Sequence, residues 1–295
     1  MSIKAIDLCC GAGGWACAAR GFPIEIVAAI DLWEPATTTY RLNFPDCQVI
    51  HGDVRNANLQ KQVLAIAKAA GVSLVLGGIP CEWLSVYRVL SAVKEDEIAD
   101  QRETMDAVLG LVESIDPKWS CLEDVVGIIK HLPLMTQYHI LDARHWSCQR
   151  RRRCFIGHFP IPPRENNSDT AAVALRRGPF RIGKRLWGRT PQRHRTFTNS
   201  TCLALDLDRK AATSRRDAEL GVVDPAVPGG LRNLEWQEAA AIQGFPDDFI
   251  FYGSPTDVSA MVGRAVPIPL ARAILKAICL KEAEAGERKL AEAIA

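Results

Sequence analysis

The sequence predicts an α/β protein: a doubly wound, mostly parallel sheet of about seven strands, accompanied by a small second domain. Three observations carry this. First, the apolar stretch Ile3–Leu8 runs into Cys9-Cys10-Gly11-Ala12-Gly13-Gly14, and the glycine turn opens into a helix through Trp15, Ala16 and Ala19. Strand, glycine turn and helix form the nucleotide-binding opening of a doubly wound fold. Second, an acid recurs at successive strand ends, at Asp7, Asp31, Asp53 and Glu123. Third, the apolar run Val72, Leu74, Val75, Leu76 reads as a buried parallel strand and stops at Gly77-Gly78-Ile79-Pro80-Cys81. Glycines there let backbone approach a ligand, and a thiol on such a loop lies where open α/β sheets bind their ligands.

A chain of 295 residues allows two domains or one large one. No apolar stretch has membrane-spanning length, and Asp7 interrupts any signal-peptide pattern. Cys9, Cys10, Cys17, Cys47, Cys81, Cys121 and Cys279 fall mostly in apolar segments without C-x-x-C spacing. That pattern favours reduced thiols in a cytoplasm over disulfides or a metal site. The net charge of +2 hides an asymmetry: residues 144–216 hold eighteen Lys/Arg against four Asp/Glu, so the remainder is acidic. A basic block of that size is either a solvated surface or a nucleic-acid footprint.

Taken in order, the acid directly before the glycine loop disfavours a pyrophosphate and suits a cationic, phosphate-free nucleoside. The second strand, residues 25–30, ends in Asp31, and the third, residues 47–50, leads to Gly52-Asp53-Val54. Asp31 suits a ribose diol and Asp53 an adenine amino group, though each could serve as a helix cap. Lys94-Glu95-Asp96-Glu97 opens a helix whose Met105, Val108, Leu109, Val112 and Ile115 form an amphipathic stripe ending at Asp116-Pro117. Strands follow at residues 119–122, 138–141 and 154–159, with Gln149-Arg150-Arg151-Arg152-Arg153 before the last. From 160 to 230 Pro, Gly, Arg and Thr dominate and periodicity weakens, as in a domain of short strands and loops. Order returns with a helix over residues 239–243, then Gln243-Gly244-Phe245-Pro246, Met261-Val262-Gly263-Arg264-Ala265-Val266-Pro267 and a last helix from 270 to 293.

Across nearly its whole length the chain resembles the cytosine-C5 DNA methyltransferases, with blocks in unpermuted order. Asp7–Gly14 looks like the family's cofactor loop, Pro80-Cys81 its nucleophile, and Glu123-Asp124-Val125 its Glu-Asn-Val block. Gln149-x-Arg151-x-Arg153, Gln243-Gly244-Phe245-Pro246 and Gly263-x-Ala265-Val266-Pro267 match three further blocks. The resemblance implies a Rossmann-like methyltransferase domain over residues 1–159 and 255–295, and a target-recognition domain with its hinge over 160–254. It implies catalysis by Cys81, Glu123, Arg151 and Arg153. S-adenosylmethionine would be bound by Asp7, Cys9, Gly11, Gly13, Gly14, Asp31, Leu32, Asp53, Val54, Pro80, Ala265 and Val266. Double-stranded DNA would be held by Ser85, Arg151, Arg176, Arg177, Lys184, Arg185, Arg193 and Arg195. No metal or membrane is implied. The implied setting is a monomer on DNA in the cytoplasm of a bacterial or phage-infected cell, at the nucleoid, in restriction-modification. The chemistry agrees: cytosine C5 is a poor nucleophile until a thiolate adds at C6, and the base must first leave the duplex.

Departures from the family pattern stand beside the matches. Cys9 replaces Phe, Ile79 Pro, Glu82 Gln, Glu235 Thr, Asp124 Asn and Arg264 Asn, while Trp146-Ser147-Cys148-Gln149 stands for Gly-x-Pro-Gln. The last two single replacements suggest three arrangements: an Asp124–Arg264 ion pair, unrelated drift, or an Arg264 that faces a negatively charged donor substituent. A tRNA methyltransferase, a silent DNA-binding homologue and an enzyme using a modified donor are the rival readings.

Overall fold

The computed structural model describes residues 2–80, 95–169, 204–205, 221–223 and 231–294. Seven strands form the main sheet: β1 (Ile3–Leu8), β2 (Ile24–Asp31), β3 (Gln48–His51), β4 (Leu74–Gly78), β5 (Trp119–Asp124), β6 (Tyr138–Asp142) and β7 (Arg152–Ile156). Their order is β3-β2-β1-β4-β5-β7-β6. β1 to β5 run parallel, and β7 is antiparallel to both neighbours. Strand order reverses between β1 and β4, and the crevice outside their carboxyl ends is the ligand position of such sheets.

Period-two alternation on buried strands sends neighbouring side chains to opposite faces. Ala5, Leu74, Leu76, Cys121 and Phe155 build the core on one face, while Ile6, Leu8, Val75, Leu122 and Ile156 build it on the other. The first face is covered by α1 (Gly14–Ala19), α6 (Pro255–Arg264) and α7 (Ile268–Ile294), through Trp15, Val262, Leu270, Ile274 and Ile278 among others. The second is covered by α3 (Ala57–Ala70) and α4 (Glu95–Ile115). Helix α2 (Glu34–Asn43) lies beyond β2, with Tyr40 fully buried. Met105, Val108 and Leu111 of α4 are buried, and Leu109, Val112 and Ile115 pack beside them, as the stripe predicts.

Helix α3 lies in a stretch for which the sequence pattern raised no expectation. Asn56 caps it by accepting from the Asn58 and Leu59 N–H groups, Leu59, Val63 and Ala67 turn inward, and Gly71 ends it at φ +65°. The strand expected at residues 154–159 sits earlier, at Arg152–Ile156. Gly157 ends it at φ +122°, with its backbone so close to Ser120 that a Cβ would lie 2.4 Å from that carbonyl oxygen. The shift puts Arg152 and Arg153 on the strand itself.

A second sheet of three strands, β8 (Ala204–Leu205), β9 (Gly221–Val223) and β10 (Leu231–Asn233), has β9 central, antiparallel to β10 and parallel to β8. After it, α5 (Trp236–Gln243) and the residues to Phe251 rejoin the main core. Phe245, Phe249 and Phe251 pack tilted or edge-to-face, with ring centres within 5.1 Å of one another, and Phe249 reaches Phe44 at 6.3 Å. The Asn43 amide accepts from Ile250 N–H at 2.9 Å and donates to Ile250 C=O at 2.7 Å, tying α2 to this segment. The eight described cysteines are all free thiols. Among the described residues no single helix is long and apolar enough to cross a membrane.

Gly157→Ala should destabilise the protein by about 2 kcal/mol or more, since it combines left-handed backbone with a backbone clash. A fall in the denaturant midpoint at constant m-value is the expected result.

Candidate active site

The β1/β4 switch point is held very close. Gly77 pairs with Leu8, and a Cβ at Gly77 would sit 2.3 Å from the Leu8 carbonyl oxygen. Trp15 Nε1 donates to the Gly77 carbonyl at 3.0 Å, anchoring α1 to the same point. The loop leaving β1 takes left-handed backbone at Cys9 (φ +50°), Gly11 (φ +54°) and Gly13 (φ +92°). A Cβ on Gly13 would strike Phe44 at 2.8 Å, whereas the space beside Gly11 is open. Gly11 thus presents bare backbone to a cleft while Gly13 is required for packing.

Asp31 joins this loop to the end of β2. Its Oδ2 accepts from Gly11 N–H and its Oδ1 from Trp33 N–H, both at 2.8 Å. Burial raises its pKa, and those two bonds together with the charges of Arg264 and His51 pull the other way. Asp7 is fully buried; Tyr40 O–H donates to its Oδ2 at 3.4 Å, and its Oδ1 has no hydrogen-bond partner among the described residues. Burial drives the Asp7 carboxyl well above the usual range. Asp53 has a partner the sequence did not announce. Arg55 Nε lies 3.0 Å from both of its oxygens and the Arg55 N–H donates to Oδ1 at 2.9 Å, which lowers its pKa. Asp53 stays partly exposed at the cleft; Val54 is buried beneath it, and Leu32 projects outward at 61 % exposure. The closing block lies over the start of α1: a Cβ on Gly14 would be 3.0 Å from Val266.

On the other side of the switch point, β4 pairs Gly78 with Glu123, and Ile79 N–H donates to the Glu123 carbonyl at 3.1 Å. This fixes the turn that ends at the exposed Pro80. Cys81 and Ser85 lie outside the described residues, as do Arg176, Arg177, Lys184, Arg185, Arg193 and Arg195. Glu123 is buried beside Arg153, whose Nε lies 2.9 Å from Oε1. Burial raises the Glu123 pKa against the opposing pull of the Arg153 and Arg151 charges. A buried carboxyl paired with an arginine is placed to hydrogen-bond a reacting group.

Arg151 departs from one expectation. It is 2 % exposed, and its guanidinium donates to the carbonyls of Gly263 at 2.9 Å and Ala265 at 3.2 Å. The DNA contact expected of it is not what this burial permits; Arg151 instead holds the closing block. Gln243 does the same from α5, donating through Nε2 to Val262 C=O at 2.9 Å and Ala265 C=O at 3.0 Å. Gln149 is fully buried nearby in the chain, and among the described residues neither of its amide atoms has a hydrogen-bond partner.

The Asp124–Arg264 pair is also corrected. Asp124 is buried at the end of β5, with Oδ1 accepting from Val125 N–H. Arg264 stands at the end of α6 with its guanidinium 5.0 Å from the centre of the Trp33 ring, just beyond β2. In this sheet β2 and β5 are three strand spacings apart, about 14 Å. The cation therefore sits on the nucleoside side of the crevice and the acid on the Glu123 side.

An α/β domain with an acid-lined crevice at one half of its switch point and a buried Glu–Arg pair at the other is the class of protein that this geometry defines. Comparison with known proteins narrows it. The C-5 cytosine-specific DNA methylase family matches residues 3–160 and 181–280, and the chain belongs to that family. It is a DNA (cytosine-5-)-methyltransferase. The Type II methyltransferase M.HindV of Haemophilus influenzae is 29 % identical, with 96 % of this chain and 98 % of the relative covered. M.NgoMIV of Neisseria gonorrhoeae is 27 % identical, covering 93 % and 96 %. Among solved structures, a putative DNA modification methyltransferase from an E. coli prophage superposes with a TM-score of 0.70 at 21 % identity, over 94 % of this chain and 98 % of that one. The S. pombe Dnmt2 methyltransferase also reaches 0.70, at 14 % identity, over 96 % and 99 %. These two likenesses concern the fold alone.

Removing the Arg153 charge leaves Glu123 with the burial effect less opposed. Arg153→Met should therefore move the Glu123 titration to still higher pH, followed by carboxyl NMR of labelled glutamate. A downward shift, or none, would contradict the electrostatic assignment.

Proposed function

We propose that this enzyme takes a methyl group from S-adenosylmethionine and places it on C5 of a cytosine flipped out of double-stranded DNA, with Cys81 as the covalent nucleophile. The observation that carries the reading is the Glu123–Arg153 pair, set beside the glycine turn that leads from β4 to Pro80 and so to Cys81.

The crevice residues fit the donor. Open space beside Gly11, the half-exposed Asp31 and the partly exposed Asp53 offer a backbone edge, a ribose acceptor and an amino-group acceptor. Asp31 and Asp53 at the crevice favour a cationic ligand over a phosphate. Cys9, Leu32, Val54, Pro80, Ala265 and Val266 would supply the remaining walls. Bound S-adenosylmethionine supplies a methyl group on a sulfonium. In this reading Cys81 adds at C6, and Glu123 stabilises the charge pushed onto N3 by hydrogen bonding or proton donation. Arg153 holds O2 and keeps Glu123 in place. Arg151 positions the closing block and touches no substrate. Loss of the C5 proton and expulsion of the Cys81 thiolate complete the cycle.

Residues 1–159 and 255–295 act as the catalytic domain in this proposal. Residues 160–254 act as recognition domain and hinge, the hinge being the part from Leu234 onward that packs into the catalytic core. Ser85, Arg176, Arg177, Lys184, Arg185, Arg193 and Arg195 are proposed to meet the DNA, with the enzyme acting as a monomer in the cytoplasm, at the nucleoid.

Cys81→Ser is expected to retain donor and DNA binding and lose methyl transfer, and wild type, unlike the variant, should be trapped covalently on a 5-fluorocytosine duplex. Substantial turnover by Cys81→Ser would overturn the assignment. DNA affinity should fall steeply with salt, and each neutralised basic contact in residues 144–216 should flatten the log–log slope by about 0.9. Exchanging residues 160–230 for those of a relative should change the sequence methylated, read by bisulfite sequencing; an unchanged target would refute the domain assignment.

A further inference from the structure

Arg264 occupies an unusual place for a cation. The turn that bears it is rigidly held, because Arg151 and Gln243 together bind the carbonyls of Val262, Gly263 and Ala265. The next residues lie against Gly14, at the start of the helix that the glycine loop opens into. Its side chain spreads over Trp33, whose own N–H is bound by Asp31, so the guanidinium stands at the rim of the nucleoside half of the crevice. The carboxyls of that half include Asp7, buried before the glycine loop, and Asp31, which binds Gly11 within it. Arg264 shares its charge with Asp31, and from its exposed place on this rim its guanidinium can also take an anion carried by a ligand. Guanidinium is moreover the group best suited to a planar carboxylate, which it grips with two parallel N–H bonds.

We propose that Arg264 is a donor-reading residue: it binds a carboxylate carried by the S-adenosyl sulfonium donor, and so sets which donor the enzyme prefers. The inference rests on the proposed donor site. Two sources present that chemistry: the amino-acid carboxylate common to such donors, and a carboxylate borne on the transferred carbon. In the second case the sulfonium carbon–sulfur bond breaks and a carbon–carbon bond forms at cytosine C5. The thioether leaves, the C5 proton departs to solvent and the Cys81 thiolate is released, so a carboxymethyl group replaces methyl with no oxidant or reductant.

The test is a cycle of protein and ligand changes read by calorimetric binding, without turnover. Wild type and Arg264→Gln are each titrated with S-adenosylhomocysteine, with its decarboxylated analogue, and with the S-adenosyl sulfonium bearing carboxymethyl in place of methyl. Binding of S-adenosylhomocysteine by wild type verifies the donor site itself; its absence overturns that site, independently of Arg264. A loss of about tenfold or more in Arg264→Gln for S-adenosylhomocysteine but not for the decarboxylated analogue supports the amino-acid carboxylate as the partner. A comparable loss confined to the carboxymethyl donor supports the transferred group. In that case wild-type enzyme given this donor should yield carboxymethylcytosine by mass spectrometry of digested DNA. Equal affinities of wild type and Arg264→Gln for all three ligands would overturn the proposal. Arg264→Lys serves as the companion variant, retaining the charge without the fork, and should recover part of the lost affinity. An equal loss for every ligand in both variants, carboxylate or none, would assign Arg264 a packing role and equally overturn it.

Discussion

The buried guanidinium of Arg151 is the interaction on which the rest depends. A charge removed from water is costly, and it survives only where hydrogen bonds replace hydration. Arg151 meets that requirement with backbone carbonyls of Gly263 and Ala265, more than a hundred residues along the chain from β7. Gln243 reinforces the junction from α5, sharing the Ala265 carbonyl and adding that of Val262. One junction thereby joins three separate stretches of sequence and seats Val266 on Gly14 at the glycine loop. The domain is discontinuous in sequence, and this is the point at which it closes.

Given that closure, the crevice divides into two electrostatic halves. Asp7, Asp31 and Asp53 lie at the ends of β1 and β2 and after β3; burial makes Asp7 costly to ionise, while at Asp31 two N–H bonds and the Arg264 and His51 charges oppose the same effect. Glu123 and Arg153 lie at β5 and β7, where burial and the arginine charges pull the carboxyl in opposite directions. The division follows from strand order: β1 and β4 separate the halves, and their close contact at Leu8 and Gly77 leaves backbone, not side chains, between them.

Much of this was legible in the chain. Apolar runs marked the strands, the glycine loop marked the crevice, and the stripe from Met105 to Ile115 marked the helix that covers one face. Acids at strand ends marked the cleft, because an acid following a buried strand has few other places to go. The misses have physical causes. The strand at residues 154–159 was misplaced because Phe159 and Phe155 are both apolar, while the break comes from the contact of Gly157 with Ser120. Asp53 gave no sign of its tie to Arg55, since a two-residue separation carries no periodic signal.

The sequence by itself determined the class of fold, the order of its catalytic blocks and the side chains available for the chemistry, because periodicity and residue type are local properties. Only the tertiary structure decided which of those side chains meet. Arg151, which sequence reading could also place on a phosphate, is buried against a distant turn. Asp124 and Arg264, adjacent in motif logic, stand on opposite halves of the crevice, because strand order puts β1 and β4 between β2 and β5. Contacts of this kind depend on how a sheet is wound, and no spacing along a chain records that.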